Sequence, residues 1–184
     1  MWKRPPLTSC EKLALYCTQK SGVPGIKMLS RAVQSVQDGS GSPLESQFYL
    51  FYALSARLGG EGWPRPSLNQ RITFSDPARR VAGQRSCVAD ILFPGQRGVI
   101  EVLGKRFHAD EMGFEERNGR TAGLEAMGYR VVEVTHQHMA RLEGLDLRLT
   151  SIARQLGLPQ AKRTAAFIKR RHELFLEVFP HGLT

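Results

Sequence analysis

The chain has few cysteines, no long apolar run and no repeated segment, and each absence removes a class of protein. Its three cysteines, Cys10, Cys17 and Cys87, are odd in number and include no Cys-x-x-Cys pair. A disulfide framework and a zinc knuckle are both disfavoured, and a reducing cytoplasm is the expected compartment. No stretch approaches the roughly 20 apolar residues of a membrane span, so no membrane partner is expected. The opening Met1-Trp2-Lys3-Arg4-Pro5-Pro6 is basic but lacks the apolar run and small-residue cleavage site of a secretory signal.

What is present fits one well-filled domain with a small appendage. A chain of 184 residues is too short for two cores of usual size, and with 41% hydrophobic residues it has enough apolar material for one. Lys and Arg number 26 against 17 Asp and Glu, a formal net charge of +9. Charge of that sign favours a polyanionic partner, nucleic acid first, although a solvated basic surface gives the same count.

Helix-like apolar spacing runs over Cys10 to Gln19 and Ile26 to Val36, broken between them by Pro24-Gly25. Asp38-Gly39-Ser40-Gly41-Ser42-Pro43 reads as a loop. Residues 1–41 are therefore expected as a helical segment, 42–145 as the main core and 146–184 as basic helices packed on it. Ser42-Pro43-Leu44-Glu45 starts a helix: Ser42 caps, Pro43 suits the first position and Glu45 completes a capping box. The stripe Leu44, Phe48, Phe51 and Leu54 carries that helix to about Leu58, before Gly59-Gly60.

Arg71 to Phe74 reads as a strand and Asp76-Pro77-Ala78-Arg79-Arg80 as a basic loop. Clearer strands lie at Cys87 to Phe93 and Gly98 to Leu103, joined by Pro94-Gly95-Gln96-Arg97. Phe114 to Met127 is helical despite Gly119 and Gly123, with Gly128 as its stop. Tyr129 to Val134 is a buried strand, and two basic amphipathic helices follow, about Leu147 to Leu156 and Thr164 to Phe179. That order predicts an α/β or α+β fold, a small mixed β-sheet flanked by helices.

If Pro94 to Arg97 form the hairpin loop, Phe93 pairs with Gly98 and the register sets Asp90 opposite Glu101. Two like charges so placed repel unless something positive lies between them. Magnesium or manganese would resolve that conflict, because such ions take oxygen ligands and support in-line attack on phosphorus. Two other readings remain: a shift of register that parts the carboxylates, or an ordinary ion pair to Arg71 or Lys105.

The run from Ser42 to about Gln137 resembles the PD-(D/E)XK nuclease superfamily, in particular its Vsr-like and DUF559-like branch of small bacterial proteins. The matching pieces are Ser42 to Glu45, Val88 to Pro94, Val99 to Val102, Phe107-His108 and Gly128 to Thr135, in the order and at the intervals of that branch. The resemblance implies a restriction-endonuclease-like core in which Glu45, Asp90 and Glu101 gather around Mg2+ (or Mn2+). It further implies that His108 assists at the site and that Arg120 is offered to phosphate. The expected activity is an endonuclease that hydrolyses phosphodiester bonds, with DNA ahead of RNA as substrate. The sequence departs from the pattern at Leu103, where the superfamily places a lysine or, in this branch, often an aspartate; Lys105 is the candidate substitute. A catalytically degenerate member that binds nucleic acid or a protein partner, or a toxin or defence element, is the alternative expectation.

Further phosphate contacts are expected from Arg79, Arg80 and Arg85, and from Lys169-Arg170-Arg171 on the last helix, where a docked surface helix is the plainer reading. His136 and His138 are two apart and are not read as metal ligands.

Overall fold

A computed structural model describes residues 6–104 and 111–180. The chain divides into a unit spanning Met1–Gly39 and a larger one spanning Ser40–Thr184. The smaller unit holds α1 (Cys10–Gln19) and α2 (Ile26–Ser35). Ser9 caps α1 by accepting the Lys12 amide, and both carboxylate oxygens of Asp38 lie 3.1 Å from the Cys10 amide. Val33 is its one buried helical residue among those described, so this hairpin has little core of its own.

The larger unit is a mixed α/β structure. In chain order it comprises α3 (Pro43–Ala53), β1 (Ser67–Thr73), α4 (Asp76–Ala82), β2 (Ser86–Phe93), β3 (Gly98–Leu103), α5 (Glu111–Ala126), β4 (Arg130–Thr135), the single turn α6 (His136–Met139), α7 (Leu142–Leu156) and α8 (Ala165–Val178). The strands order as β1-β2-β3-β4, with the first three antiparallel and β4 parallel to β3. A parallel neighbour needs a long crossover, and α5 lies in it.

Two cores cover the two faces of the sheet. Phe48, Phe51 and Tyr52 of α3, Leu145, Leu149 and Ile152 of α7 and Leu174 of α8 pack with Ile91, Phe93, Ile100, Val102, Val132 and Val134 on one face. Ala78 of α4 and Leu124 of α5 pack with Ile72, Phe74, Cys87, Ala89, Leu92 and Val99 on the other. Residues 146–180 thus build the first core rather than resting on a finished one.

The helix expected to reach Leu58 ends at Ala53. The chain doubles back there, and the amides of Glu61, Gly62 and Trp63 satisfy the carbonyls of Phe51, Leu54 and Tyr52. A Cβ on Gly60 would stand 1.9 Å from the Leu54 oxygen, so this return requires glycine. Asp76 to Arg80, expected as a loop, open α4 instead: Ser75 precedes the helix, and Asp76 and Pro77 occupy its first turn, where a missing amide proton costs nothing.

Candidate metal centre

The hairpin register is as the four-residue loop requires, with Phe93 opposite Gly98, Leu92 opposite Val99 and Ile91 opposite Ile100. There the β2–β3 ladder ends, one step short of Asp90 and Glu101. In place of the next ladder bond, Asp90 Oδ2 accepts the Val102 amide proton at 2.8 Å. Asp90 therefore wedges its carboxylate between two strands that part.

The cause lies in a change of face. Leu68, Ile91 and Phe93 belong to the first core, whereas Ile72, Cys87 and Ala89 belong to the second. A strand of period two would keep Ala89 and Ile91 on one side. Both β1 and β2 switch sides between these positions, at the Asn69–Asp90 step that the β1–β2 ladder skips. Asn69 takes φ 45° there, a left-handed conformation that asparagine tolerates better than most residues.

Glu101 follows Val99 on the α5 face of β3 and is 3% exposed. Its Oε2 pairs with Arg120 Nη2 at 3.1 Å, while its Oε1 is buried with no hydrogen-bond partner. Burial pushes the Glu101 carboxyl up to about 7; the charges of Asp90, Glu133 and Glu45 push the same way, and Arg120 opposes them. Asp90 is also raised, first by burial and then by Glu45, against the lowering effects of the Val102 amide and Arg120.

Glu45 lies in the first turn of α3, where Ser42 Oγ accepts its amide proton at 3.2 Å. Its carboxylate does not close the expected capping box on Ser42. Instead Oε2 accepts from the Gly41 amide and from Asn69 Nδ2, each at 2.8 Å. Glu133 stands directly opposite Glu101 in the parallel β3–β4 register, which extends the row of acids onto a third strand. Among the described residues no group of three or more His, Cys, Asp or Glu converges closely enough to hold a metal ion. The expected set of Glu45, Asp90 and Glu101 therefore does not gather as three ligands around one point; Asp90 and Glu101 remain the candidates, and Glu101 Oε1 is the buried oxygen left without a hydrogen-bond partner.

Arg120, expected to meet phosphate, is spent on Glu101. Lys105 and His108 lie outside the described residues. Leu103 is buried beside the acids on β3 and adds only apolar surface. His138 closes a capping box with Thr135, whose amide donates to His138 Nδ1 at 3.0 Å, so that nitrogen is occupied. Asn69 and Glu133 were not among the expected site residues. The alternation of Glu133 between Val132 and Val134 places it with Glu101 once strand pairing is known, whereas nothing local marks Asn69.

The expected phosphate contacts divide. Arg80 and Arg85 are exposed around α4, and Lys169 and Arg170 on α8. Arg79 is exposed as well, but its guanidinium donates to the Phe74 carbonyl and pairs with Asp76 at 3.1 Å. Arg171 is 1% exposed and paired with Glu61 and Asp146, which removes it from any phosphate interface. Comparison of the chain with family models, curated proteins and solved structures finds no match.

Proposed function

We propose that the protein is a metal-dependent endonuclease that hydrolyses phosphodiester bonds in DNA, with Asp90 and Glu101 as ligands of Mg2+ or Mn2+. The observation that carries this reading is the buried, unpartnered Glu101 Oε1 in a cluster where Asp90, Glu133 and Glu45 all raise the cost of its negative charge. Arg120 compensates one oxygen of this buried carboxylate, and a cation or a proton at the other would lower its cost further. When bound, a divalent ion supplies positive charge against the reacting phosphate and makes water more acidic.

The chain's own residues prepare that site. Asp90 is fixed by the Val102 amide, so one of its oxygens is oriented by backbone. Glu45, tied to Gly41 and Asn69, adds negative field from α3. Burial pushes the Glu101 carboxyl up to about 7, so a cation bound there would compete with its proton near neutral pH. Arg120, paired with Glu101 Oε2 at 3.1 Å, would be available to a phosphate oxygen if a bound cation took over that carboxylate. The excess of basic residues favours a polyanionic substrate.

Leu103 supports a second reading, a nuclease-like protein that binds nucleic acid without cutting it. Its buried side chain can neither orient water nor carry a proton. Plasmid, linear duplex, single-stranded DNA and RNA incubated with Mg2+ or EDTA separate the two. Mg2+-dependent cleavage lost in Asp90→Ala supports the enzyme; salt-sensitive binding indifferent to Mg2+, with no cleavage, overturns it in favour of the binding module.

A further inference from the structure

A cavity of about 640 Å3 opens where α8 begins, next to the short turn that follows α3. Arg57, Lys162, Lys169 and Arg170 all line it, and no acid does. Arg170 is held by Glu173 at 2.7 Å, but Arg57, Lys162 and Lys169 have no ion pair among the described residues. The nearest buried acid, Glu61, is already matched: it accepts from Arg163, Arg171 and the Ala161 amide. The charges of Arg57, Lys162 and Lys169 thus have no ion-pair partner among the described residues, and a volume in the range of about 300–1,000 Å3 is that of small-ligand pockets.

The walls are fixed. Thr164 caps α8 by accepting the Phe167 amide at 3.2 Å, and the remaining first-turn amides have no intrahelical acceptor. Phe167, 4% exposed, is held by the guanidinium groups of Arg163 and Arg171 at 4.7 and 5.1 Å from its ring centre. An anion entering here meets the exposed side chains of Arg57, Lys162 and Lys169 and, at Thr164, the N-terminal end of a 14-residue helix. Glu45 sits in the first turn of α3 while Arg57 lies beyond its last residue, with about 12 Å of helix between Glu45 and the helix end at Ala53.

We propose that this cavity is a phosphate-binding site that receives one nucleotide unit, either free or within a nucleic-acid strand. Its residues are not those of the acidic centre, and the proposal holds whether or not that centre cuts.

The test uses the full chain in EDTA, with fluorescence anisotropy of a short labelled DNA single strand and with inorganic phosphate and adenosine monophosphate as competitors. The pair Lys162→Ala/Lys169→Ala lies at exposed positions and leaves the core untouched. It is compared with Lys12→Ala/Lys20→Ala, on α1 and at its C-terminal cap, which removes the same charge elsewhere. The cavity pair is expected to weaken strand binding at least tenfold more than the control pair and to flatten the dependence of log K on log salt by about 1.4, or 0.7 per phosphate contact. Competition by phosphate or the mononucleotide, absent in the cavity pair, identifies a free nucleotide as the ligand. Displacement by unlabelled strand alone identifies a strand. Equal losses in the two pairs, or no binding of any of the three probes, overturns the proposal. Asp90→Ala leaves this binding intact, which separates its failure from that of the nuclease reading.

Discussion

Asp90 Oδ2 accepts the amide proton of Val102, one residue beyond Glu101 on the neighbouring strand, at 2.8 Å. That bond makes Asp90 both a structural wedge and a candidate ligand, and substitutions can separate the two roles. Asp90→Asn keeps an oxygen for the Val102 amide, whereas Asp90→Ala leaves a buried donor unsatisfied at a cost of about 1–3 kcal/mol. Urea denaturation should show Asp90→Ala destabilised by that order and Asp90→Asn by clearly less. Stabilisation by Mg2+, read as a rise in Tm at pH 8, should disappear in both. Equal stability of the two variants would remove the wedge.

The proton on Glu101 gives the second expectation. Its carboxyl titrates near 7 in the folded chain against an ordinary 4.5, so between those values the folded state binds more protons than the unfolded one. Stability attributable to this group therefore falls as pH rises through that window and is lowest above it. Glu101→Gln resembles the protonated form and should be more stable than wild type at pH 8, by on the order of 3 kcal/mol at most, and no more stable at pH 4. Mg2+ should narrow the gap at pH 8 by stabilising the wild type alone. A wild-type stability that rises from pH 5 to pH 8 relative to Glu101→Gln would contradict the assignment.

Much of the sheet was legible because its signals are local. Pro94 to Arg97 marks a loop, and a loop of that length sets the register on its own. The change of face at Asn69 and Asp90 was not legible, since Asp90 sits in an apolar run that reads equally well with unbroken alternation. Only the two cores, assigned to opposite sides of the sheet, expose it. Arg171 misled for a related reason: a basic run on an amphipathic helix gives charge and period, but not which cation faces an acid 110 residues away. Glu61, in a Gly-rich turn, carries no mark of its burial. Glu45 was placed correctly in the first turn of α3, while its partner Asn69 belongs to tertiary structure.

Arg171 and Lys169 should behave in opposite ways although they are two residues apart. The Arg171 guanidinium is buried against Glu61 and Asp146, and burial draws its pKa below the usual arginine value. Arg171→Ala would leave Glu61 buried with less positive charge beside it and should cost about 3–5 kcal/mol. Lys169→Ala, at an exposed position, should change stability by less than about 0.5 kcal/mol. Chemical denaturation of the two variants checks this, and similar midpoints would mean that the buried ion pairs contribute little.

Gly119 and Gly123 weaken α5 as a helix, yet they let it approach α4. A Cβ on Gly119 would stand 2.6 Å from the Ala82 carbonyl oxygen, and one on Gly123 would stand 2.7 Å from the Ala82 Cβ. Gly119→Ala gains roughly 1 kcal/mol of helix propensity. Against that gain, a backbone oxygen cannot swing aside, so α5 must move away from α4. Arg120, the next residue, moves with it and loosens from Glu101 Oε2. Gly119→Ala should therefore destabilise the chain despite better propensity, while Asn118→Ala, exposed on the same helix, should raise stability by a few tenths of a kcal/mol. Because Arg120 lowers the Glu101 pKa, its retreat should raise that pKa further, which carboxyl NMR titration can follow. A Gly119→Ala chain as stable as wild type, with an unchanged Glu101 titration, would mean that the close approach of the two helices does not position the arginine.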